Sequence, residues 1–272
     1  MKNRLTRNVL HLALMLLAIC FMSVVSHAAD NVDGPAKPAQ VEFKPSPEVL
    51  ARVEQSQRLV ETWYPLINSL LFDEGHALPY AEIGIVLMPG FGPELANVVA
   101  YVSGNTIYIS AERVAIMPDN FQAMLVHEIT HINQQYPPSK EQVGWLVEGI
   151  ADYVRHKYFE KDISASLQIN GQDQLTGYQP DAPYFYMLEK QGVSLKQQGY
   201  LKAYTVASSF LYWLEISKDK DIVKKLNRAL SKGEYTPDLF VAVCGATLDS
   251  LWQEFVEASK ATTMATAAAA KS

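Results

Sequence analysis

Cysteine is nearly absent from the 272-residue sequence, which contains only Cys20 and Cys244. The first lies in an N-terminal segment that is expected to be removed, and the single remaining thiol cannot form an internal disulfide. Stability must therefore come from core burial and from any bound metal. Cys244, in the run LFVAVCGA, is interpreted as a small buried apolar residue rather than a ligand or nucleophile.

Basic residues are outnumbered by acidic ones, 23 to 29. The first 28 residues hold three basic residues (Lys2, Arg4 and Arg7) and no acidic one, so removing them leaves 20 basic against 29 acidic residues and a net charge of −9. Such a surface repels nucleic acid and anionic lipid. The sequence also lacks an internal repeat, a glycine-rich phosphate loop and a basic aromatic stripe. Nucleic acid is therefore not an expected partner.

An apolar run from Leu12 to Val25 follows a basic start and precedes the small-x-small sequence Ser26-His27-Ala28. This pattern is typical of a cleaved signal peptide over residues 1–28. A lipoprotein signal at Cys20 is disfavoured because Ile19, which precedes it, is not small. An uncleaved anchor is disfavoured because the run is short for a spanning helix. The sequence thus predicts an exported protein, periplasmic or extracellular, with no stable membrane anchor after cleavage.

Histidine is also sparse, and two of the histidines stand in one motif, VHEITH. Periodic apolar residues predict a helix over residues 119–134, on which positions four apart share one face. His127 and His131 can then direct two imidazole nitrogens to one ion. Glu128 projects beside that ion, where a carboxylate can act as the general base of zinc hydrolysis. The same motif also occurs by chance in unrelated helices, where its histidines are simply solvated.

A catalytic zinc ion has three protein ligands and one open position. The pattern HExxHxxGxxH is excluded, because Gln134 and Pro137 stand where it needs glycine and histidine. A second helix, predicted over residues 141–159, carries Glu148 and, one turn later, Asp152. We assign Glu148 to the metal and Asp152 to a hydrogen bond behind a histidine. On the sequence alone the two roles can be exchanged, and a solvated acidic helix face is the alternative.

Four stretches, VHEITHINQQ, WLVEGIADYVR, AYTVASSFLYWLE and LFVAVCGATLDSLWQEF, resemble in that order the basic secretory protein family. Its members are zinc-dependent peptidases of the thermolysin-like superfamily from plants and bacteria. The resemblance covers roughly residues 47–258 and implies that His127, His131 and Glu148 hold Zn2+ with Glu128 as catalytic base. The acidic balance of this chain departs from the family name, so no basic character is carried over.

Hydrophobic periodicity predicts an α+β fold, in which a small antiparallel or mixed sheet precedes a mostly helical bundle. The bundle carries the HExxH helix and the second, glutamate-bearing helix. A long amphipathic helix is predicted to begin at Pro47, with Ser46 as its N-cap. Residues 47–259 are expected to form one catalytic domain, after a flexible linker over 29–46 and before a frayed tail over 260–272.

Alternating apolar residues predict three strands, over 83–88, 97–102 and 106–110. The last two are expected to form an antiparallel hairpin. By resemblance to thermolysin-like peptidases, Asn105–Ser110 is assigned as an exposed edge strand that pairs with extended substrate. Its backbone at Asn105, Ile107 and Ile109 would make the contacts. An internal strand without a ligand is the alternative.

A zinc peptidase also needs a donor for the developing oxyanion. A helix is predicted over residues 200–216, and Tyr204 opens a segment that resembles the helix carrying such a tyrosine in related thermolysin-like peptidases. Tyr153 and Tyr200 are alternatives, and a place in the core is the plain interpretation of any of the three.

The sequence therefore predicts an exported zinc-dependent metallopeptidase that acts on peptide or protein substrates. The alternative is an exported binding protein that keeps the same fold but cleaves nothing. An intact Glu128 favours the enzyme, because a purely structural metal site has no use for a base at that position.

Overall fold

The structure is a computed structural model that describes residues 43–116, 121–170, 174–175, 195–202 and 204–269. The predicted signal peptide and most of the predicted linker lie outside the described residues. From Ser46 onward the chain forms one compact unit.

The described chain begins with a long helix, a small three-stranded sheet follows, and the rest is mostly helical. The elements are α1 (Pro47–Leu71), β1 (Gly84–Met88), β2 (Ala100–Ser103), β3 (Thr106–Ser110), α2 (Ala111–Ile116), α3 (Phe121–Gln134), α4 (Gly144–Val154), α5 (Leu195–Gln198), α6 (Tyr204–Ser217), α7 (Ile222–Lys232), α8 (Asp238–Cys244) and α9 (Leu248–Ala269). A π-helical turn (Arg155–Glu160) continues α4, and a 3-10 turn (Gly199–Lys202) precedes α6. This arrangement confirms the predicted α+β class.

β3 lies in the middle of the sheet, whose strand order is β1-β3-β2. β2 pairs with it antiparallel, which confirms the predicted hairpin. β1 pairs with it in parallel, with Gly84 opposite Thr106 and Met88 opposite Ser110. The free edges of the described sheet therefore belong to β1 and β2.

The prediction that Asn105–Ser110 is an exposed, substrate-binding edge is wrong. The backbone of β3 is paired on both sides, and Ile107 and Ile109 are fully buried. The backbone carbonyl of Asn105 accepts the N–H of Gly84 (2.9 Å) and is also not free. The error arises because β1 is a parallel partner from an earlier part of the chain, and local alternation carries no information about such pairing.

α4 is the central helix of the bundle and packs between α3 and α6. Trp145, Leu146 and Ile150 of α4 are buried. Gly149 permits the close approach of α6, because a Cβ atom at this position would lie 2.7 Å from Cβ of Ala207. The position of α4, and with it that of Glu148, is therefore set by backbone contact as well as by side-chain packing.

α1 supports the other side of α3. Oγ of Ser46 accepts the backbone N–H of Val49 (3.3 Å), which confirms the predicted start of α1. The side-chain amide of Asn133 in α3 donates to the carbonyl oxygens of Tyr64 in α1 (3.3 Å) and of Ile129 (3.1 Å). Because Asn133 is almost fully buried, these bonds fix the register of α3 against α1.

Two predicted helices are shorter in the structure. The helix predicted over 141–159 is α4 followed by the π-helical turn. The helix predicted from Tyr200 is divided into the 3-10 turn and α6, which begins at Tyr204. The backbone φ of Tyr204 is +47°, a value that bulky residues rarely adopt. This strained residue is the first residue of α6, after the 3-10 turn has ended at Lys202.

The prediction of a frayed tail over 260–272 is wrong as far as Ala269, because α9 continues to that residue. The segment is rich in alanine, the residue with the highest helix propensity. Burial ends at Ser259, and Thr263 still accepts the backbone N–H of Ile169 (3.4 Å) through Oγ1. Residues 270–272 lie outside the described residues.

No single described helix is long and apolar enough to cross a membrane, although α8 and α9 together, bent by 61°, reach that length and composition.

Close packing at Gly149 can be tested by substitution. Gly149→Val should lower the free energy of unfolding by about 1–3 kcal/mol, because the added atoms collide with Ala207. Gly144→Ala on the same helix is the matched control: a Cβ atom there meets no heavy atom within 4 Å, so its stability should equal or exceed that of the parent. Urea unfolding measures both. Equal stability of the Gly149→Val variant and the parent would contradict the packing described.

Candidate metal centre

Three side chains from α3 and α4 meet at one point. Nε2 of His127 lies 3.0 Å from Nε2 of His131. Oε2 of Glu148 lies 3.2 Å from the first nitrogen and 3.4 Å from the second. His127 is buried, whereas the Glu148 side chain is 28% exposed, so the group is open to solvent on one side. The structure thus brings together the three residues that the sequence assigns to the metal.

The outer nitrogens of both rings face hydrogen-bond acceptors. Nδ1 of His127 lies 2.8 Å from Oδ1 of Asp152, and Nδ1 of His131 lies 2.7 Å from Oε1 of Gln134. Carboxylate and amide oxygens only accept, so each Nδ1 carries a proton, and each Nε2 faces Glu148 and can offer a lone pair to a metal once it is itself deprotonated. Asp152 thus stands behind a histidine as predicted from the sequence. Sequence analysis does not identify Gln134, although its spacing of three residues from His131 on one helix face is a signal that could find it.

These three atoms fit a zinc ion. Two nitrogen lone pairs and a carboxylate oxygen are all electron-rich, so they repel one another unless a cation lies among them. A tetrahedral zinc ion with bonds of roughly 2.0–2.1 Å separates its nitrogen and oxygen ligands by about 3.3 Å. The observed separations of 3.0–3.4 Å match that value. Imidazole and carboxylate are also ligand types that zinc accepts.

A proton can supply the positive charge in the metal-free chain. Burial lowers the pKa of His127, but its hydrogen bonds and charge interactions with Asp152 and Glu148 outweigh burial and raise the pKa to about 10. The pKa of His131 is raised too, because the Glu148 carboxylate outweighs its burial. Burial acts to raise the pKa of Glu148, yet the two imidazoles hold it well below its ordinary range. The group therefore attracts a cation strongly.

Glu128 lies next to His127 on α3 and stays outside this group of three atoms. Glu128 is buried, with only 6% of its surface exposed. Burial raises the pKa of Glu128 to about 7, although the charges of His127 and His131 partly offset the effect. A carboxyl group with this pKa can both accept and release a proton near neutral pH.

Tyr204 lies beside His127. Its ring centroid is 6.1 Å from that of His127, with the ring planes 18° apart. The hydroxyls of the two alternative tyrosines are engaged elsewhere: Tyr153 accepts from Nζ of Lys157 (2.7 Å), and Tyr200 donates to Asp249 (2.8 Å). Of the three tyrosines considered from the sequence, Tyr204 is therefore the one placed beside the site.

A polar network supports Asp152 from behind. Oγ1 of Thr205, on α6, donates to Oδ2 of Asp152 (3.3 Å), and Nε2 of His156 lies 3.3 Å from the same hydroxyl. The guanidinium of Arg155 is 3.8 Å from Oδ1. Burial acts to raise the pKa of Asp152, but the hydrogen bond to His127 and the nearby positive charges lower it. Asp152 therefore remains a carboxylate and a strong acceptor for His127.

The π-helical turn and the residues just after it hold a second group of metal-ligand residue types, His156, Glu160 and Asp162. Nδ1 of His156 lies 2.9 Å from an oxygen of each acid, the length of an ordinary hydrogen bond. Arg155 makes two further bonds to Glu160, of 2.9 and 3.3 Å. These residues are therefore explained as an ion-paired cluster that supports His156.

A sequence model of a family described as "peptidase of plants and bacteria" matches residues 93–197 and 193–255. The two segments together cover more than half of the chain, and they contain α3, α4 and α6 with all the donor atoms described above. Comparisons with curated proteins and with solved structures gave no match. Because the family model matches more than half of the chain, the chain belongs to the peptidases of plants and bacteria.

Proposed function

We propose that this protein is an exported, zinc-dependent peptidase of the thermolysin-like type that hydrolyses peptide bonds. The observation that carries the proposal is the convergence of His127 Nε2, His131 Nε2 and Glu148 Oε2 beside the buried Glu128. Family membership supports the peptidase class. The N-terminal signal-peptide pattern supports export to the periplasm or the medium.

His127, His131 and Glu148 would hold the metal, and Asp152 and Gln134 would orient the two rings. A zinc ion bound there supplies Lewis acidity, which polarises the scissile carbonyl and brings the pKa of water toward about 7. The carboxylate of Glu128 accepts the proton of the attacking water and then passes it to the leaving amine. Burial raises the pKa of Glu128 above its ordinary value in the metal-free chain, and a buried carboxylate is a better proton acceptor than an exposed one.

Tyr204 is the proposed donor to the oxyanion. It begins α6, and its ring lies beside His127. The strained φ of this residue is the kind of backbone feature that concentrates at functional sites. The tyrosine hydroxyl can donate a hydrogen bond to an oxygen on which negative charge develops.

We place the extended substrate along β2 in place of β3. β2 packs against α3, and among the described strands it pairs with β3 alone, so its outer edge offers unpaired backbone groups. Ala100–Ser103 can bind a peptide through those groups without a side-chain requirement.

Hydrolysis and the role of Glu128 are tested together. The mature protein should degrade an unfolded protein substrate, and a chelator should stop it. Glu128→Gln removes the base but keeps the shape of the side chain, so kcat/KM should fall by roughly 10²–10⁴-fold while zinc content stays that of the parent. Glu61→Gln, an exposed glutamate on α1, is the control and should keep full activity. A parent protein that binds zinc yet cleaves nothing would support the silent binding protein instead, and an active Glu128→Gln variant would remove Glu128 from the mechanism.

Glu148→Ala tests the third ligand. Loss of Oε2 leaves two imidazoles, so the variant should lose most of its zinc on dialysis, as measured by elemental analysis. Glu61→Ala should retain zinc at the level of the parent. Full zinc occupancy in the Glu148→Ala variant would show that another group is the third ligand.

Zinc uptake should release protons. With a pKa of about 10, His127 is protonated in the metal-free chain at pH 7.5, and its Nε2 must lose that proton to bind a metal. The apparent zinc affinity should therefore rise with pH between about 7 and 9, by up to about tenfold per pH unit for one proton released. Calorimetry at one pH in two buffers of different ionisation enthalpy counts the protons. Identical heats in the two buffers would contradict the protonated state assigned to His127.

A further inference from the structure

One side chain, Gln134, joins the two helices that carry the metal donors. Its Oε1 accepts the Nδ1 proton of His131 (2.7 Å), and its Nε2 donates to the backbone carbonyl of Val147 (3.0 Å). Val147 lies on α4 immediately before Glu148. Gln134 is 4% exposed, so both bonds are protected from water. The same amide therefore contacts His131, a candidate metal ligand on α3, and the backbone next to Glu148, a candidate metal ligand on α4.

The chemistry of the two neighbours fixes the orientation of this amide. A carbonyl oxygen such as that of Val147 can only accept, so it must face the NH2 group. The oxygen of the amide is then left for His131, whose Nδ1 must carry a proton to bond with it. The reversed amide would set NH2 against N–H and oxygen against oxygen. A properly placed glutamine thus selects the His131 tautomer whose Nε2 is free to bind a metal.

We propose that Gln134 is a positioning residue of the metal centre, which fixes the tautomer and ring angle of His131 relative to Glu148. This inference rests on the proposed zinc site. Its counterpart for His127 is Asp152, so each ring has its own acceptor, one charged and one neutral. Glutamine is the residue type that can do this here, because it offers an acceptor to His131 and a donor to Val147 at once.

The substitution Gln134→Met keeps the length and approximate volume of the side chain but removes the hydrogen bonds to His131 and Val147, together with a polar interaction with Tyr136. The zinc dissociation constant should rise by roughly 10- to 100-fold, the usual effect of losing a residue that orients a ligand. Gln134→Glu keeps an acceptor for His131 and, with its carboxyl protonated, can still donate to the carbonyl of Val147, so it should recover most of the affinity. Gln122→Met is the matched control, since Gln122 is exposed on the same helix and bonds only weakly to Gln55 (3.4 Å), and its zinc affinity should be that of the parent.

Affinities are measured on the mature protein by competition with a chromophoric chelator at fixed pH. A second readout is independent of activity: in the zinc-loaded protein, the ring N–H proton of His131 should give a protected, downfield NMR signal. That signal should be lost in Gln134→Met, kept in Gln134→Glu and unchanged in Gln122→Met. A residue that merely fills space would shift the thermal midpoint of the metal-free protein without moving either readout. If Gln134→Met does not fold, Gln134→Asn, which is one methylene too short to reach both partners, should show the same rise in dissociation constant.

The outcomes separate this inference from the proposed function. A parent protein that binds no zinc overturns both. A parent that binds zinc and cleaves peptides, together with a Gln134→Met variant of unchanged affinity and an unchanged ring N–H signal, overturns the role of Gln134 alone. A Gln134→Glu variant as weak as Gln134→Met would likewise overturn it, because the acceptor for His131 would then be irrelevant.

Discussion

The structure depends on one electrostatic constraint: three electron-rich atoms are held within 3.4 Å of one another and must share a positive charge. Without a proton or a metal ion among them, the three side chains would repel one another. The arrangement persists because the outer side of each imidazole is bonded to a fixed acceptor, so that neither ring can turn its lone pair away. The raised pKa of His127 and the lowered pKa of Glu148 both result from this close approach. A metal ion would satisfy the constraint in place of a proton.

Four packed helices, α1, α3, α4 and α6, hold the three side chains in this arrangement. α3 is anchored to α1 by the buried amide of Asn133, and α4 packs closely on Ala207 of α6 because Gly149 has no side chain of its own. α6 in turn supplies Thr205 to Asp152 and sets Tyr204 against His127. The donor atoms therefore belong to a rigid core and not to loops, which favours precise ligand geometry. Glu148, partly exposed, marks the side from which a substrate can approach.

The sequence predicted what is local in this protein. A turn of helix sets His127 and His131 on one face, and Asp152 lies one turn beyond Glu148, so spacing was enough to name these four residues. The roles of Glu148 and Asp152 were interchangeable on spacing alone, and the structure distinguishes them because Glu148 faces both Nε2 atoms and Asp152 faces Nδ1 of His127. The α+β class and the hairpin followed from periodicity in the same way. What depends on long-range pairing was not predictable: β1 adds to β3 in parallel and turns the supposed substrate edge into the middle of the sheet. The helical end of α9 was missed for a different reason: alanine extends a helix but has no large apolar side chain whose spacing would signal it.

The two acceptors behind the histidines differ in charge, and the difference matters for Glu128. Glu128, Glu148 and Asp152 already place three carboxylates around two imidazoles, and the charges of Glu148 and Asp152 both act to raise the pKa of Glu128. A second acid behind His131 would add to that repulsion and hold more of Glu128 in its protonated form at neutral pH. A neutral amide avoids this, since it orients His131 without adding negative charge. In the proposed mechanism Glu128 must be ionised to accept a proton, so a neutral amide at Gln134 suits the proposed base as well as the proposed ligand geometry.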